Sequence, residues 1–265
     1  MLKNKKIAII GCGNLGLSIL HGLLDQGTAP EDLIATRRNI DGVHDLTKTG
    51  VRLTADNAEA IRQSELIIVA LKPYNIPEVL NELRKHFDPD RHILVSLATG
   101  ISLDQIQAAV GDGIPVYRAM PNTGADVGKS MTCICSDRED PDGAQLVRSC
   151  FDTIGETVMI DESLMDAATV LGACGIAFVL RFIRAMIQGG VQIGFDAKTA
   201  TNIVTHTVQG AAELLIQRNH HPEYEIDKVT TPKGCTIAGL NEMEHNGLSS
   251  ALIKGIVASY GRIEG

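Results

Sequence analysis

The sequence predicts an α/β domain with a doubly wound, mostly parallel sheet over residues 1–161, followed by an all-α domain over residues 162–265. Three observations carry this. Short β-branched runs alternate with helix-like segments through the first part. A Gly-x-Gly-x-x-Gly run stands between the first apolar run and the first helical pattern. After Asp161 strand signals cease, and long alanine-rich apolar segments take over. A chain of 265 residues suffices for two modest domains.

Taken in order, Ile7–Ile10 is a β-branched run ending at Gly11, and a helical pattern follows from Asn14 to Asp25. Leu33–Thr36 reads as the second strand. Another helix-like segment precedes Leu66–Ala70, whose unbroken apolar run suits a strand buried on both faces. His92–Ser96 and Val116–Ala119 repeat the theme. Met131–Ser136 and Thr157–Ile160 add late strands, with a helix near Pro141–Asp152 between them. The second part reads as helices over about Leu164–Gly189, Ala197–Asn219, Pro232–His245 and Ser249–Arg262. Its central segments carry few charges, and about 100 residues of helix cannot hide that much apolar surface alone. A homodimer or higher oligomer through this domain is therefore expected, with a compact monomeric bundle as the alternative.

Composition excludes several classes. The net charge of -8 argues against a nucleic-acid partner, which would want a basic face. The six cysteines form no C-x-x-C pair and sit mostly in apolar stretches, so neither a disulfide framework nor a zinc site is expected. No signal peptide is visible, and the expected location is cytoplasmic. Ala167–Phe195 alone looks like a membrane span, but Arg181 and Arg184 lie in its middle and Gly189-Gly190 interrupts it. Each arginine near a bilayer centre would cost about 2.5–3.5 kcal/mol. A helix buried in the protein or in a subunit interface fits better than a membrane. His220-His221 is the one tempting metal pair; it reads as a solvated loop, and no metal is expected.

Gly11-Cys12-Gly13-Asn14-Leu15-Gly16 follows a strand and opens a helix, which is the context a dinucleotide-binding (Rossmann) loop requires. Gly11 makes the tight turn, Gly13 lets backbone approach a pyrophosphate, and Gly16 lets helix pack on strand. The free N–H groups of the helix start, at Asn14 and Leu15, face the phosphates. The second strand ends in Thr36-Arg37-Arg38-Asn39, with no carboxylate for a ribose hydroxyl and two guanidiniums suited to a 2′-phosphate. NADP (as NADPH) is therefore favoured, with NAD as the alternative. Ala70, Lys72 and Pro73 follow the buried strand, and Ala98 lies in the Ser96–Gly100 segment after the next, where sheet ends meet ligands. Asn57 completes the candidate cofactor set. Such a loop implies an oxidoreductase that uses the cofactor for hydride transfer.

Thr230–Leu240 is the most informative stretch of the second part. Thr231 suits an N-cap and Pro232 the first helical position, leaving free N–H groups at Gly234, Cys235 and Thr236 for a carboxylate, beside the Thr236 hydroxyl. A purely structural capped helix is the other reading.

With these motifs in place, the chain resembles the pyrroline-5-carboxylate reductase family over nearly its whole length. The likeness rests on the Gly11–Gly16 loop, Ala70-Leu71-Lys72-Pro73, Arg118-Ala119-Met120-Pro121-Asn122-Thr123, Asp166-Ala167-Ala168, and Val229 to Leu240 with Glu244 beyond. It implies a Rossmann domain, a helical dimerisation domain, and NAD(P)H-dependent reduction of a cyclic imine carboxylate to L-proline, the last step of proline biosynthesis. It also implies a substrate site of Thr231, Gly234, Cys235, Thr236, Met120 and Asn122, with Thr236 acting at the ring nitrogen. The chain departs from the family pattern at Lys233 (usually Gly), Gly124 (usually Pro), Asn219 (often acidic) and Gly172-Ala173-Cys174-Gly175-Ile176 (usually Ser-Gly-Ser-Gly-Pro). Alternatives are a reductase of another cyclic imine, a β-hydroxyacid-dehydrogenase-like enzyme, and a non-catalytic NADP-binding sensor. The hydroxyacid enzymes carry a catalytic lysine on the first long helix of the second domain, where this chain has Arg181 and Arg184.

Overall fold

The structure is a computed structural model that describes residues 2–39, 46 and 48–263; Met1 and the last two residues of the predicted domains lie outside them. Among the described residues, eight strands make one sheet: β1 (Ile7–Ile10), β2 (Leu33–Thr36), β3 (Arg52–Thr54), β4 (Leu66–Val69), β5 (Ile93–Ser96), β6 (Val116–Met120), β7 (Ser130–Ser136) and β8 (Gly155–Met159). Their order is β3-β2-β1-β4-β5-β6-β7-β8. Every neighbouring pair is parallel except β6 and β7, where Tyr117 lies opposite Ser136 and Met120 opposite Cys133.

Helices α1 (Asn14–Asp25), α2 (Asn57–Arg62), α3 (Ile76–Leu83), α4 (Leu103–Val110) and α5 (Pro141–Phe151) accompany the sheet. Side chains alternate along each strand, so the apolar runs feed two cores. Ile7, Ile9, Leu66 and Ile68 pack in one core with Ile19, Leu20 and Leu23 of α1 and Val147 and Phe151 of α5. Ala8, Ile10, Ile67 and Val69 pack in the other with Ile61 of α2, Leu80 of α3 and Ile106 of α4. Two-faced burial is why β1, β2 and β4 read as continuous apolar runs, with every residue buried.

The segment after β8 begins with the short helix α6 (Met165–Ala168), continues as a π-helical stretch at Thr169–Cys174, and straightens into α7 (Gly175–Gln192). The chain divides into two compact units, one ending at Cys174 and one running from Gly175 to Ile263. This division falls after the expected boundary at Asp161, because Met165 belongs to the core of the first unit and is fully buried there.

The second unit contains α7, α8 (Ala197–Arg218), α9 (Pro222–Lys228), α10 (Cys235–His245) and α11 (Leu248–Tyr260). Asp196 caps α8 through the N–H groups of Lys198 and Thr199, and Asn219 ends it with a left-handed φ of 51°. The expected helix start at Pro232 is corrected. The helix begins at Cys235 with Gly234 as its N-cap, because Lys233 adopts a left-handed φ of 60° that breaks the helical path. Thr231 is thus no N-cap, and its carbonyl accepts the Gly234 N–H at 2.9 Å across a turn. That Gly234 N–H is therefore not free, contrary to expectation.

Few of the second unit's apolar side chains find cover in this chain. Ala200 and Val204 are buried, whereas Leu180, Phe182, Ile193, Ile216, Ile253 and Val257 are exposed. By length and composition the helical run Glu162–Gln192 could cross a membrane: its most apolar window has a mean hydropathy of 2.0 and is 6% buried. Of the two expected covers for this helix, its own chain and a subunit interface, its own chain supplies little, which leaves the interface.

Candidate active site

The parallel pairing brings strand ends together. Ile10 lies opposite both Thr36 and Val69, Val69 opposite Ser96, and Ser96 opposite Arg118. The loops after β1, β2, β4, β5 and β6 thus leave from one edge of the sheet. This edge carries Gly11–Gly16, Arg37, Arg38, Ala70, Lys72, Pro73, Ala98, Met120 and Asn122. From β1 the chain winds to β2 and β3 on one side and returns to β4 on the other, so β1 and β4 flank the switch point where such sheets hold ligands.

The loop after β1 is shaped for close approach. Gly11 has a left-handed φ of 85°, and a Cβ there would collide with Leu71. A Cβ on Gly16 would lie 3.1 Å from the Ile9 Cγ2, which is how α1 sits tight on its strand. Gly13 differs: a Cβ added there meets nothing within 4 Å. Gly13 is the N-cap of α1 with no side-chain cap. The N–H groups of Asn14, Leu15 and Gly16 are the orphan donors of the helix start, the next N–H (Leu17) being the first to find a carbonyl, that of Gly13. An open cradle with uncapped donors and a positive helix end fits a pyrophosphate. Cys12, inside the loop, is buried, and burial pushes its thiol up to about 11, so it is an inert filler.

Thr36 holds the loop in place, a role the sequence reading missed. Its carbonyl accepts the Cys12 N–H at 2.7 Å, and its hydroxyl accepts the Gly11 N–H at 3.1 Å while donating to Asn57 Oδ1 at 2.6 Å. Asn57, expected at the cofactor, thereby ties the first turn of α2 to the loop. A threonine at a strand end beside a glycine turn is the only sequence signal for this. Arg37 is half-buried and Arg38 exposed. Among the described residues neither guanidinium has an acidic partner. Lys72 is exposed, Ala70 and Pro73 are half-buried, and Ala98 is buried with its N–H donated to Ser96 Oγ at 3.3 Å.

The proposed substrate residues divide between the two units. Met120 is buried at the end of β6. The Asn122 side chain accepts the Gly124 N–H at 2.9 Å and donates to the Gly172 carbonyl at 3.2 Å, fastening the π-helical stretch to the sheet. Thr231, Gly234, Cys235 and Thr236 stand in the helical unit. There the eleven-residue α10 has no side-chain cap, and the Cys235 and Thr236 N–H groups are free. Gly234 is required by space, since a Cβ would press on Thr231 Oγ1 and its carbonyl. The pairing of Arg118 with Glu162 was not foreseen from the sequence. Buried Arg118 donates to Glu162 Oε1 at 2.9 Å, and the same oxygen accepts the Leu103 N–H at 2.7 Å, joining β6, α4 and the segment leading to α6. Among the described residues, no cluster of three or more His, Cys, Asp or Glu could hold a metal ion, and all six cysteines are free.

Comparison with known proteins agrees with this layout. Residues 162–265 match the family model described as pyrroline-5-carboxylate reductase dimerisation, and residues 6–100 match that of NADP oxidoreductase coenzyme F420-dependent. Pyrroline-5-carboxylate reductase 2 of Dictyostelium discoideum is 40% identical over 273 residues, spanning 97% of this chain and 91% of that protein. The chain belongs to the pyrroline-5-carboxylate reductase family. Pyrroline-5-carboxylate reductase 1 of the same organism is also 40% identical across 97% of this chain, which spans 49% of that protein's length. The crystal structure of Plasmodium falciparum pyrroline carboxylate reductase with NADP bound superposes with a TM-score of 0.88 at 25% identity, covering 98% of this chain and 97% of that one. For a pyrroline-5-carboxylate reductase family member, the α/β unit is the nucleotide-binding part. The exposed apolar helices lie within the matched dimerisation region.

Proposed function

We propose that this protein reduces 1-pyrroline-5-carboxylate to L-proline with NADPH. The observation that carries the proposal is the 40% identity to a pyrroline-5-carboxylate reductase across 97% of this chain and 91% of that relative. The cradle around Gly13 suits the pyrophosphate of either nicotinamide dinucleotide, and the two arginines, without an acidic partner among the described residues, favour NADPH over NADH. Backbone donors of Asn14, Leu15 and Gly16 would hold the pyrophosphate, and Arg37 and Arg38 the 2′-phosphate. When bound, the nicotinamide supplies the hydride that adds to the imine carbon. The protein's own part is to orient and to exclude water. The Cys235 and Thr236 N–H groups bind the substrate carboxylate, and the Thr236 hydroxyl hydrogen-bonds the ring nitrogen. The ring enters as the protonated imine, so hydride addition yields the secondary amine without a separate strong acid.

The apolar faces of α7 and α8 pair with a second copy to form a homodimer or a higher oligomer of dimers. Arg181 and Arg184 in the middle of α7 disfavour lipid as the cover. Free cysteines suit a reducing compartment, and the cytoplasm is the location we assign. The test is to mix protein, NADPH and pyrroline-5-carboxylate and follow loss of reduced-cofactor absorbance, repeating with NADH and with Thr236→Ala. Proline-forming oxidation, faster with NADPH and impaired by the mutation, is expected. Tight NADPH binding without turnover would overturn the assignment and favour a sensor.

A further inference from the structure

The loop that precedes α10 emerges from a corner built around one carboxylate. Glu225 lies in α9, a helix of only seven residues, too short to hold its shape unaided. Its Oε1 accepts from His220 Nδ1 at 2.6 Å and from Lys228 Nζ at 2.9 Å, and its Oε2 from Arg218 Nη1 at 3.4 Å. Arg218 is the last residue of α8, His220 stands in the connection, and Lys228 is the last residue of α9. Tyr224 closes the cluster: the His220 ring meets it edge-on at 4.8 Å, and Lys228 Nζ sits 4.2 Å from its ring centroid. The Glu225 side chain is only 10% exposed under these groups. The hydrogen bond from His220, then that from Lys228, holds its carboxyl below the ordinary range.

From this corner a run of short turns leads to the proposed substrate end of α10. Val229 N–H donates to the Ile226 carbonyl at 3.1 Å, and Thr230 N–H to that of Asp227 at 3.2 Å. The Thr230 hydroxyl donates to the Ile226 carbonyl at 2.7 Å, and Gly234 N–H to the Thr231 carbonyl at 2.9 Å. The first two turns grow out of the end of α9, and the 231–234 turn follows them directly in sequence.

We propose that Glu225 is a positioning residue for substrate: by gathering Arg218, His220 and Lys228 it fixes α9, and through α9 the Thr231–Thr236 segment that receives the imine carboxylate. This assigns the histidine that looked like a solvated loop residue to the same device. The inference rests on the reading of the α10 start given under the proposed function.

The test uses the full-length protein and its variants Glu225→Ala, Glu225→Gln and Thr236→Ala. Glu225→Ala should raise KM for pyrroline-5-carboxylate about fivefold, with kcat changed less than about twofold, as for an anion site that is intact but misplaced. KM for NADPH should not move. Glu225→Gln keeps an acceptor and loses the charge, so it should fall between parent and Glu225→Ala. A second measurement needs no substrate: hydrogen exchange of the Thr230 and Gly234 amides should speed at least about tenfold in Glu225→Ala, with α7 amides unchanged. Unchanged imine KM with unchanged exchange overturns the inference. So does a parallel rise of both KM values, which marks general loosening. If Thr236→Ala impairs turnover and Glu225→Ala leaves the imine KM unchanged, the Glu225 role alone fails. If the parent turns over and Thr236→Ala changes nothing, the reading of the α10 start fails with it.

Discussion

Gly13→Ala tests whether this glycine is kept for folding or, as proposed, for a ligand. Its backbone, φ -87° and ψ -159°, is open to any L-residue, and an added Cβ meets nothing within 4 Å. Gly13→Ala should therefore cost the apo protein nothing. Alanine leaves the unfolded chain fewer conformations to lose, a gain of about 0.4–1 kcal/mol, but it is a poorer N-cap than glycine by a similar amount, so Tm should stay close to the parent's. The new methyl would stand where the backbone must meet the pyrophosphate. A 100-fold loss of NADPH affinity, about 2.7 kcal/mol, is the expected scale. The assay is thermal unfolding with and without NADPH, beside a fluorescence titration of the cofactor. The parent should be stabilised by NADPH and the variant should not, while the variant alone melts close to the parent. Parental NADPH affinity in Gly13→Ala would refute the cradle, and a loss of apo stability would show a structural role instead. Gly11→Ala is the control: φ of 85° and the Leu71 side chain oppose any Cβ, so that variant should lose stability before cofactor is added.

Three other outcomes follow from the same reasoning. Lys233→Gly relieves a left-handed φ of 60° and should stabilise the protein by about 1 kcal/mol in chemical denaturation, and no gain would contradict the observed turn. Arg118→Met strands Glu162 beside the Leu103 N–H; with the Arg118 side chain 6% and Glu162 33% exposed, a loss of about 2–4 kcal/mol is expected, and a loss below 1 would mean water replaces the pair. Arg37→Ala with Arg38→Ala should raise KM for NADPH about tenfold or more while leaving KM for NADH nearly unchanged, and equal effects on both would remove the 2′-phosphate from the argument.

Much of the α/β unit was legible because its physics is local. Ile7–Ile10 and Leu33–Thr36 were read to the residue, since strands buried on both faces leave unbroken apolar runs. β3 was not, because Arg52–Thr54 is a short, part-exposed edge with no apolar run. Neither was α9, whose Pro-Glu-Tyr-Glu-Ile-Asp-Lys is polar enough to pass for a loop. At Thr231-Pro232 the local signals suit a helix start and a turn equally. The left-handed Lys233 decides for the turn, and nothing in residue type announces such a backbone outside glycine and asparagine. The candidate cofactor residues were legible as a motif and as strand ends. Thr36, which orders them, was not, because its two hydrogen bonds join loops far apart in sequence.

The sheet order has a consequence for how the protein is made. β1 is the first strand synthesised, yet it lies between β2 and β4, so its two edges stay bare until Thr36 and then Val69 have left the ribosome. The nucleotide loop waits as well, since its Gly11 and Cys12 N–H groups find their acceptors only on Thr36. A nascent chain ending before β4 carries the whole glycine motif without the wall that Leu71 supplies. Competence to hold a nucleotide should therefore arrive as a step during synthesis, once the returning strand has closed over the turn, long before the helical half emerges to find its partner.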